Sequence, residues 1–213
     1  MMAETRVHKM LASKKDPDLD GAIQLALADE KALREILEGV VSREDAYRYN
    51  CFKVLHQISE DRPVVLYPEW DYFVGLLSSG NTYHRSTSVR IIASLACADD
   101  EGRFECIFDR YLDLLDDESV IPARYLAQEA GRIARSKPHL RTKIVDRLLR
   151  IDETHHTQSR KDLIAADIIG SFGEFFEEAD AKGQILEFVE RQLESSSPKA
   201  RKAARTFLSK YGR

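Results

Sequence analysis

The chain has 213 residues, of which 43% are hydrophobic and 32% charged, and its formal net charge is −4. These values fit a folded protein with a sizeable core, and the negative charge disfavours nucleic-acid binding by the molecule as a whole. Ten Gly and six Pro are few for this length, which disfavours a turn-rich all-β fold.

Charge is distributed unevenly along the chain. Residues 1–121 carry 14 Lys and Arg against 23 Asp and Glu, whereas residues 122–213 carry 18 against 13. Such a split is typical of a partner bound at one end, and equally of charges scattered over solvated helix faces.

The three cysteines, Cys51, Cys97 and Cys106, form no CxxC pair. We expect reduced thiols, with Cys51 and Cys97 packed in apolar helices, and hence a cytoplasmic protein. The chain shows neither a signal peptide nor an apolar run of about 18 residues, so we expect neither export nor a membrane span.

Two short helical patterns, at residues 5–13 and 19–28, begin the chain. Neither is long enough to be stable alone, so residues 1–28 are predicted to form an N-terminal helical cap. From Asp29 onward the helices come in pairs, and Asp29 is predicted to cap the first. Ser42 is predicted to cap the second, from Arg43 to Ser59.

Four further pairs follow, and Ser197-Pro198 predicts a capping serine before a proline at the first helical position of the last helix. The only β-like run, Val64 to Tyr67, is too short to compete with helix. The predicted pairs are residues 68–77 with 81–98, 103–115 with 119–135, 138–151 with 159–176, and 182–193 with 197–211.

The second helices of the pairs align at a nearly constant period. Five apolar residues recur at intervals of 36 to 38 residues: Ile58, Leu95, Ile133, Ile169 and Phe207. Three residues before each lies a second column of Leu55, Ile92, Ala130, Ala166 and Ala204. This pattern predicts an all-α fold, an α-solenoid of about five helix pairs in which stacking completes the core.

Two of these helices resemble the HEAT-repeat family of the armadillo-like group, whose second helix tends to read Val-Arg followed by alanines. Val89-Arg90 with Ala93 matches that pattern, as does Ala200-Arg201 with the alanines that follow. The resemblance covers residues 29–213, with repeats at about 29–62, 63–99, 100–136, 137–178 and 179–213. It implies scaffolding and protein binding; some members bind DNA, and DNA-repair glycosylases of this architecture exist.

In such a solenoid the second helices line the concave side. At 100° per residue, positions two and five residues from the aligned Leu55 column should point away from the core. In the fourth repeat these are Lys161, Ile164, Ile168 and Ser171; in the first they include Asn50. Across all repeats, seven of the twenty positions are basic and only Glu60 is acidic.

The basic positions and one tyrosine form a predicted binding surface, which we call the predicted stripe. It would hold an anionic partner through Lys and Arg, with Tyr125 available for stacking. The alternative is that these cations are good helix formers that bond within or between repeats. The predicted stripe consists of Lys53, Arg90, Tyr125, Arg132, Arg135, Lys161, Lys199 and Lys202.

No motif predicts catalysis, a cofactor or a metal site. His155-His156 lacks a third ligand at metal spacing and is predicted to be an exposed polar loop. Glu174, with Glu177 and Glu178, is predicted to be a solvated helix end, and Trp70 is predicted to pack. GxSxG, GxGxxG and P-loop motifs are not found in the sequence.

We therefore expect a non-enzymatic scaffold or adaptor that binds a protein partner along its concave face. The alternative is a nucleic-acid-binding protein that uses the predicted stripe in repeats three to five. A DNA-repair-glycosylase-like enzyme is a distant third. The sequence leaves the oligomeric state open.

Overall fold

The computed structural model describes residues 5–212, which are helical with no strand among them. Residues 1–4 and 213, at the ends of the predicted cap and of the last predicted repeat, lie outside this range. The all-α prediction is confirmed for the described residues, and none of their helices is long and apolar enough to cross a bilayer. The chain divides into two compact units, Met1–Ala98 and Asp99–Arg213.

The first unit contains seven α-helices within its described part. Helices α1 and α2, from the predicted cap, pack against α3 and α4. A short 3₁₀ turn, Tyr67–Glu69, joins α5 to α6. The helices are α1 Arg6–Leu11, α2 Leu19–Ala28, α3 Glu30–Gly39, α4 Asp45–Asp61, α5 Pro63–Leu66, α6 Trp70–Leu76 and α7 Thr82–Ala96.

The second unit contains six α-helices within its described part, several of which end in a 3₁₀ turn. The long helix α11 packs against both α9 and α13. The shorter helices α10 and α12 pack against α9 and α13, respectively. The helices are α8 Arg103–Leu112, α9 Val120–Ser136, α10 Arg141–Leu149, α11 Gln158–Phe175, α12 Lys182–Arg191 and α13 Pro198–Tyr211.

The two aligned columns of the sequence repeat are buried in both units. Burying aliphatic and alanine side chains at three-residue spacing on each long helix supplies the apolar free energy that holds its pair together. Trp70 is also buried, which confirms its predicted packing role. The buried columns are Leu55, Ile58, Ile92, Leu95, Ala130, Ile133, Ala166, Ile169, Ala204 and Phe207.

Helix starts agree with most of the predicted caps. The Asp29 side chain accepts from the Lys31 amide, and the Ser197 hydroxyl accepts from the Ala200 amide. The prediction for Ser42 is wrong by two residues, because its hydroxyl accepts from the Glu44 amide and α4 begins at Asp45. A serine two residues upstream of the N-cap still satisfies a loop amide, so sequence alone does not separate the two roles.

The β-like run from Val64, predicted to be too short to compete with helix, is helical, because Pro63 occupies the first helical position of α5, where its missing N–H costs nothing. One further prediction needs correction. Cys51 is buried as predicted, and burial raises its pKa to about 12. Cys97 is exposed instead, because it follows the last residue of α7 as the C-cap.

Candidate binding surfaces

The predicted stripe is divided between the two units. Lys53 lies on α4 and Arg90 on α7, in the first unit. In the second unit, α9 carries Tyr125, Arg132 and Arg135, α11 carries Lys161, and α13 carries Lys199 and Lys202.

In the first unit, the two stripe residues belong to a surface of alternating cations and aromatic rings. The Lys53 ammonium lies 4.8 Å from the centroid of the Tyr49 ring, and the Arg90 guanidinium 5.5 Å from that of Phe52. The Phe52 and Tyr49 rings lie 6.2 Å apart. We call this surface the α4–α7 patch; it consists of Arg48, Tyr49, Phe52, Lys53, Tyr83 and Arg90.

Two tyrosines of the α4–α7 patch are unusually exposed. Tyr49 is 59% exposed and Tyr83 is 56% exposed, and they are the two exposed aromatic side chains of residues 5–212. The Arg48 guanidinium lies 4.7 Å from the Tyr83 centroid, so a cation lies over one face of each exposed ring. Such cation–π contacts contribute about 0.5–1 kcal/mol at exposed sites and orient the rings.

The helical register predicts Lys53 and Arg90 as members of this surface but not the two tyrosines. Tyr49 lies four residues before Lys53, one helical turn away, and Tyr83 lies seven residues before Arg90, two turns away. That spacing was a usable signal. The positions two and five residues from the Leu55 column do not include either tyrosine.

In the second unit, the buried carboxylate of Asp167 on α11 is held by cations from two other helices. The Arg124 Nε of α9 donates to Asp167 Oδ2 at 2.7 Å, and the Lys199 Nζ of α13 donates to Oδ1 at 2.5 Å. The Asp167 side chain is only 5% exposed. This Asp167 cluster therefore ties three successive long helices together.

Other cations of the predicted stripe also have partners within the unit. Arg132 pairs with the nearly buried Glu129 at 3.5 Å. Arg135 lies 4.0 Å from Glu174, and Lys161 donates to the backbone carbonyl of Asp152 at 2.6 Å. Much of the positive charge on α9 and α11 is therefore offset by nearby groups. This agrees with the alternative interpretation of the predicted stripe, in which its cations bond within or between repeats.

Helix α13 differs from α9 and α11 in how its cations are paired with carboxylates. Lys202 and Arg205 are exposed and pair with no carboxylate among the described residues. Lys210 is exposed too, with its ammonium 4.6 Å from the centroid of the adjacent Tyr211 ring. Tyr125, the remaining residue of the predicted stripe, is half-buried on α9.

Several positions predicted to point outward are buried, so that part of the prediction is wrong. Asn50 donates to the carbonyls of Leu11 and Ser13, because α1 covers this part of α4. On α11, Ile164, Ile168 and Ser171 are all buried. This helix packs on both sides, which leaves it a narrower free face than a helix packed on one side.

The close approach of α9 and α11 explains the burial of Ser171. Its hydroxyl accepts from the Gly131 amide at 3.1 Å and donates to the Ala127 carbonyl. A Cβ on Gly131 would lie 2.8 Å from the Ser171 carbonyl oxygen, so only glycine allows this contact without a shift.

The paired histidines are only partly the exposed loop that was predicted. His155 is exposed, and its Nδ1 lies 2.5 Å from the Asp116 carboxylate. His156 is buried, with Nε2 3.2 Å from the Leu115 carbonyl, and burial lowers its pKa. The prediction is wrong for His156, because the loop folds back onto the end of α8. Among the described residues, no group of His, Cys, Asp and Glu is arranged to hold a metal ion.

The three glutamates predicted to form a solvated helix end, Glu174, Glu177 and Glu178, are exposed. Glu177 and Glu178 are exposed on the turn after α11. Burial of part of the Glu174 side chain raises its pKa, although Arg135 and Arg132 act in the opposite direction. Arg135 and the contact with α9 account for the position of Glu174.

We expect Asp167→Asn to lower the free energy of unfolding by about 1–3 kcal/mol, the range for hydrogen bonds to charged groups. The effect stays in this range because Arg124 and Lys199 are both partly exposed and can be hydrated when the carboxylate is lost. Urea denaturation measures the change. Asp180→Asn, an exposed site with the same charge change, is the control, and an equal effect of both variants would contradict the cluster's role.

No family model matches the chain, and no curated protein matches it. Among solved structures, the chain is similar to a crystal structure of an engineered protein at 17% sequence identity. The match covers 98% of each chain with a TM-score of 0.48. No family is assigned on that likeness.

Proposed function

We propose that this protein is a non-enzymatic scaffold or adaptor that binds another protein, built from HEAT-like helix pairs arranged as an α-solenoid. The burial of both aligned columns supports the repeat. The α4–α7 patch supports the binding role. Nothing in the proposal requires a cofactor or a metal.

The observation that carries the proposal is the exposure of Tyr49 beside Lys53 and of Tyr83 beside Arg48. Tyr and Arg are enriched at the centres of protein interfaces, where a rigid ring buries a large area at a low cost in conformational entropy. The rings are already oriented by cations, so less freedom is lost on binding. A partner with acidic and apolar side chains would complement this surface.

Nucleic-acid binding is the second candidate, and it is favoured by Lys202 and Arg205 of α13, which pair with no carboxylate in the part of the chain that the structure describes. The ion pairs of α9 and α11 weigh against it, since Asp167, Glu129 and Glu174 offset Arg124, Arg132 and Arg135. Phosphate binding needs several cations that can exchange their counterions for phosphates. A protein partner therefore fits the charge distribution better.

A glycosylase-like enzyme fits less well. Such an enzyme would need a reactive carboxylate beside aromatic rings, open to its substrate. Helix α11 buries two carboxylates, Asp162 and Asp167. Asp162 accepts hydrogen bonds from Gln158 and Ser196. The Asp167 oxygens accept hydrogen bonds from Arg124 and Lys199. This arrangement is that of an ion pair between helices.

We expect the double variant Tyr49→Ser, Tyr83→Ser to lose its protein partner. Quantitative affinity capture from an extract of the source cells should show about a tenfold or greater loss, because truncating one interface hot spot costs about 2 kcal/mol or more. Val64→Ser with Ile121→Ser removes exposed apolar surface elsewhere and is the matched control. It should retain the partner.

Two outcomes would contradict the proposal. One is capture that the patch variant and the control variant reduce equally. The other is tight binding of duplex or single-stranded nucleic acid that falls steeply between about 50 and 200 mM salt, with no patch-dependent protein partner.

A further inference from the structure

The outer face of α13 is rich in positive charge. No acidic residue lies between Ser195 and Gly212. The helix buries Ala200, Ala204 and Phe207 against its neighbours. The side chains that remain exposed on the opposite side are Lys199, Lys202, Arg205, Thr206, Ser209 and Lys210.

The contacts of the individual cations show where charge is available. The Lys199 ammonium donates to the Asp167 carboxylate, and the Arg201 guanidinium donates to the backbone carbonyls of Ser195 and Ser196. Lys202 and Arg205 have no such partner among the described residues. Their three-residue spacing places them next to each other on one face of the helix.

The positive face is local, because the second unit as a whole is acidic. It carries 20 Lys and Arg against 22 Asp and Glu. Helix α12 and the turn after it pack against α13 and carry exposed Glu187, Glu190 and Glu194. These carboxylates repel a long polyanion that extends past α13 more than a short anionic segment confined to α13.

We propose that the outer face of α13 binds a short acidic polypeptide segment through Lys202, Arg205 and Lys210. From Lys199 to Lys210 the helix rises about 16 Å, a length covered by about five extended residues. Carboxylate side chains can reach cations at this spacing without a stacking surface. The two aromatic rings of α13 are Phe207, which is buried, and Tyr211, which packs against Phe176 and Phe207, so bases have little to stack on.

This second surface does not depend on the α4–α7 patch, and its test is separate. The probe is a fluorescein-labelled peptide of about five glutamates, and the measurement is fluorescence anisotropy with the full chain at low salt. A glutamine peptide of equal length and a single-stranded thymidine oligonucleotide of equal charge serve as comparisons. The glutamate peptide should bind, and the other two should bind more weakly.

Lys202→Glu with Arg205→Glu should weaken peptide binding by about tenfold or more, since like charges then face the ligand. Lys202→Gln with Arg205→Gln should act in the same direction without reversing the charge, and covers the case in which the first variant folds poorly. The matched control is Lys143→Glu with Arg150→Glu, at two exposed cations on and just after α10. It should change the affinity less than about threefold.

Several results would overturn the proposal. These are an absence of peptide binding at low salt, equal losses in the α13 and control variants, and tighter binding of the oligonucleotide than of the peptide. The Tyr49→Ser, Tyr83→Ser variant should bind the peptide like the wild type. Its failure to do so would place the acidic segment on the α4–α7 patch instead.

Discussion

Replacing Lys137 with methionine is expected to lower the free energy of unfolding by about 3–5 kcal/mol, the range for removing one partner of a buried ion pair. The Lys137 Nζ lies 3.1 Å from Asp99 Oδ2 and 3.1 Å from Glu105 Oε1. The Asp99 side chain is 0% exposed, so removing the lysine takes an ion-pair partner from a buried carboxylate. Asp99 also accepts from the amides of Arg103 and Phe104, which anchors the start of α8.

Urea denaturation of the variant measures this loss, with Lys143→Met as the control at an exposed site on α10. A difference of less than about 0.5 kcal/mol, the usual effect of surface substitutions, would contradict the prediction.

The ion pairs of Lys137 with Asp99 and Glu105 also predict a pH dependence of stability. Burial would raise the pKa of Glu105, but hydrogen bonds from Lys137 and His139 outweigh it and hold the pKa below its usual range. A carboxyl whose pKa is depressed on folding stabilises the protein above its unfolded pKa, about 4.3, and this contribution is lost as the pH falls through the folded value. Stability measured from pH 6 down to pH 3 should therefore fall less steeply in Lys137→Met than in the wild type.

Gly131→Val is expected to destabilise the second unit by about 3 kcal/mol, at the upper end of the range for overpacking. A Cβ at Gly131 would lie 2.8 Å from the Ser171 carbonyl oxygen and 2.8 Å from Glu174 Cδ. The glutamate can move, but the carbonyl belongs to the backbone of α11. The two helices must therefore separate, which also strains the hydrogen bonds of the Ser171 hydroxyl to α9.

Gly170→Val on α11 is the matched control, because a Cβ there meets no atom within 4 Å. It should be neutral or slightly stabilising, since valine has a better helix propensity than glycine. The smaller substitution Gly131→Ala should also destabilise the protein. Adding Glu174→Ala to it should restore part of the lost stability, because this removes the Glu174 side chain that the new Cβ would meet. Thermal unfolding followed by circular dichroism checks all four variants, and equal melting temperatures for Gly131→Val and Gly170→Val would contradict the close approach.

Much of the helical organisation could be predicted from the sequence because the signals are local. Apolar residues three and four positions apart lie on one face of a helix, and a capping side chain lies within three residues of the amide it satisfies. The aligned columns and the caps at Asp29 and Ser197 depend only on such spacings. The roles of Ser42 and His156 could not be predicted in this way, because they depend on a neighbouring turn or on a loop that folds back.

The candidate surfaces were less predictable. Lys53 and Arg90 were found by register alone, whereas the pairing of Arg124 with Asp167 joins residues 43 positions apart on different helices. A helical wheel shows which way a side chain points, but not whether another helix already lies there. Ser171 and Ile168 were therefore placed outside although α11 buries them.

By itself, the sequence determined that the chain is helical, which residues fill its cores and where most helices begin, because these properties follow from neighbours within one or two turns. Only the tertiary structure decided which cations remain available. On α9 and α11 carboxylates offset much of the charge, whereas Lys202 and Arg205 of α13 pair with no carboxylate among residues 5–212. The physical reason is that ion pairing and burial between helices depend on contacts across about 40 residues, which local spacing does not encode.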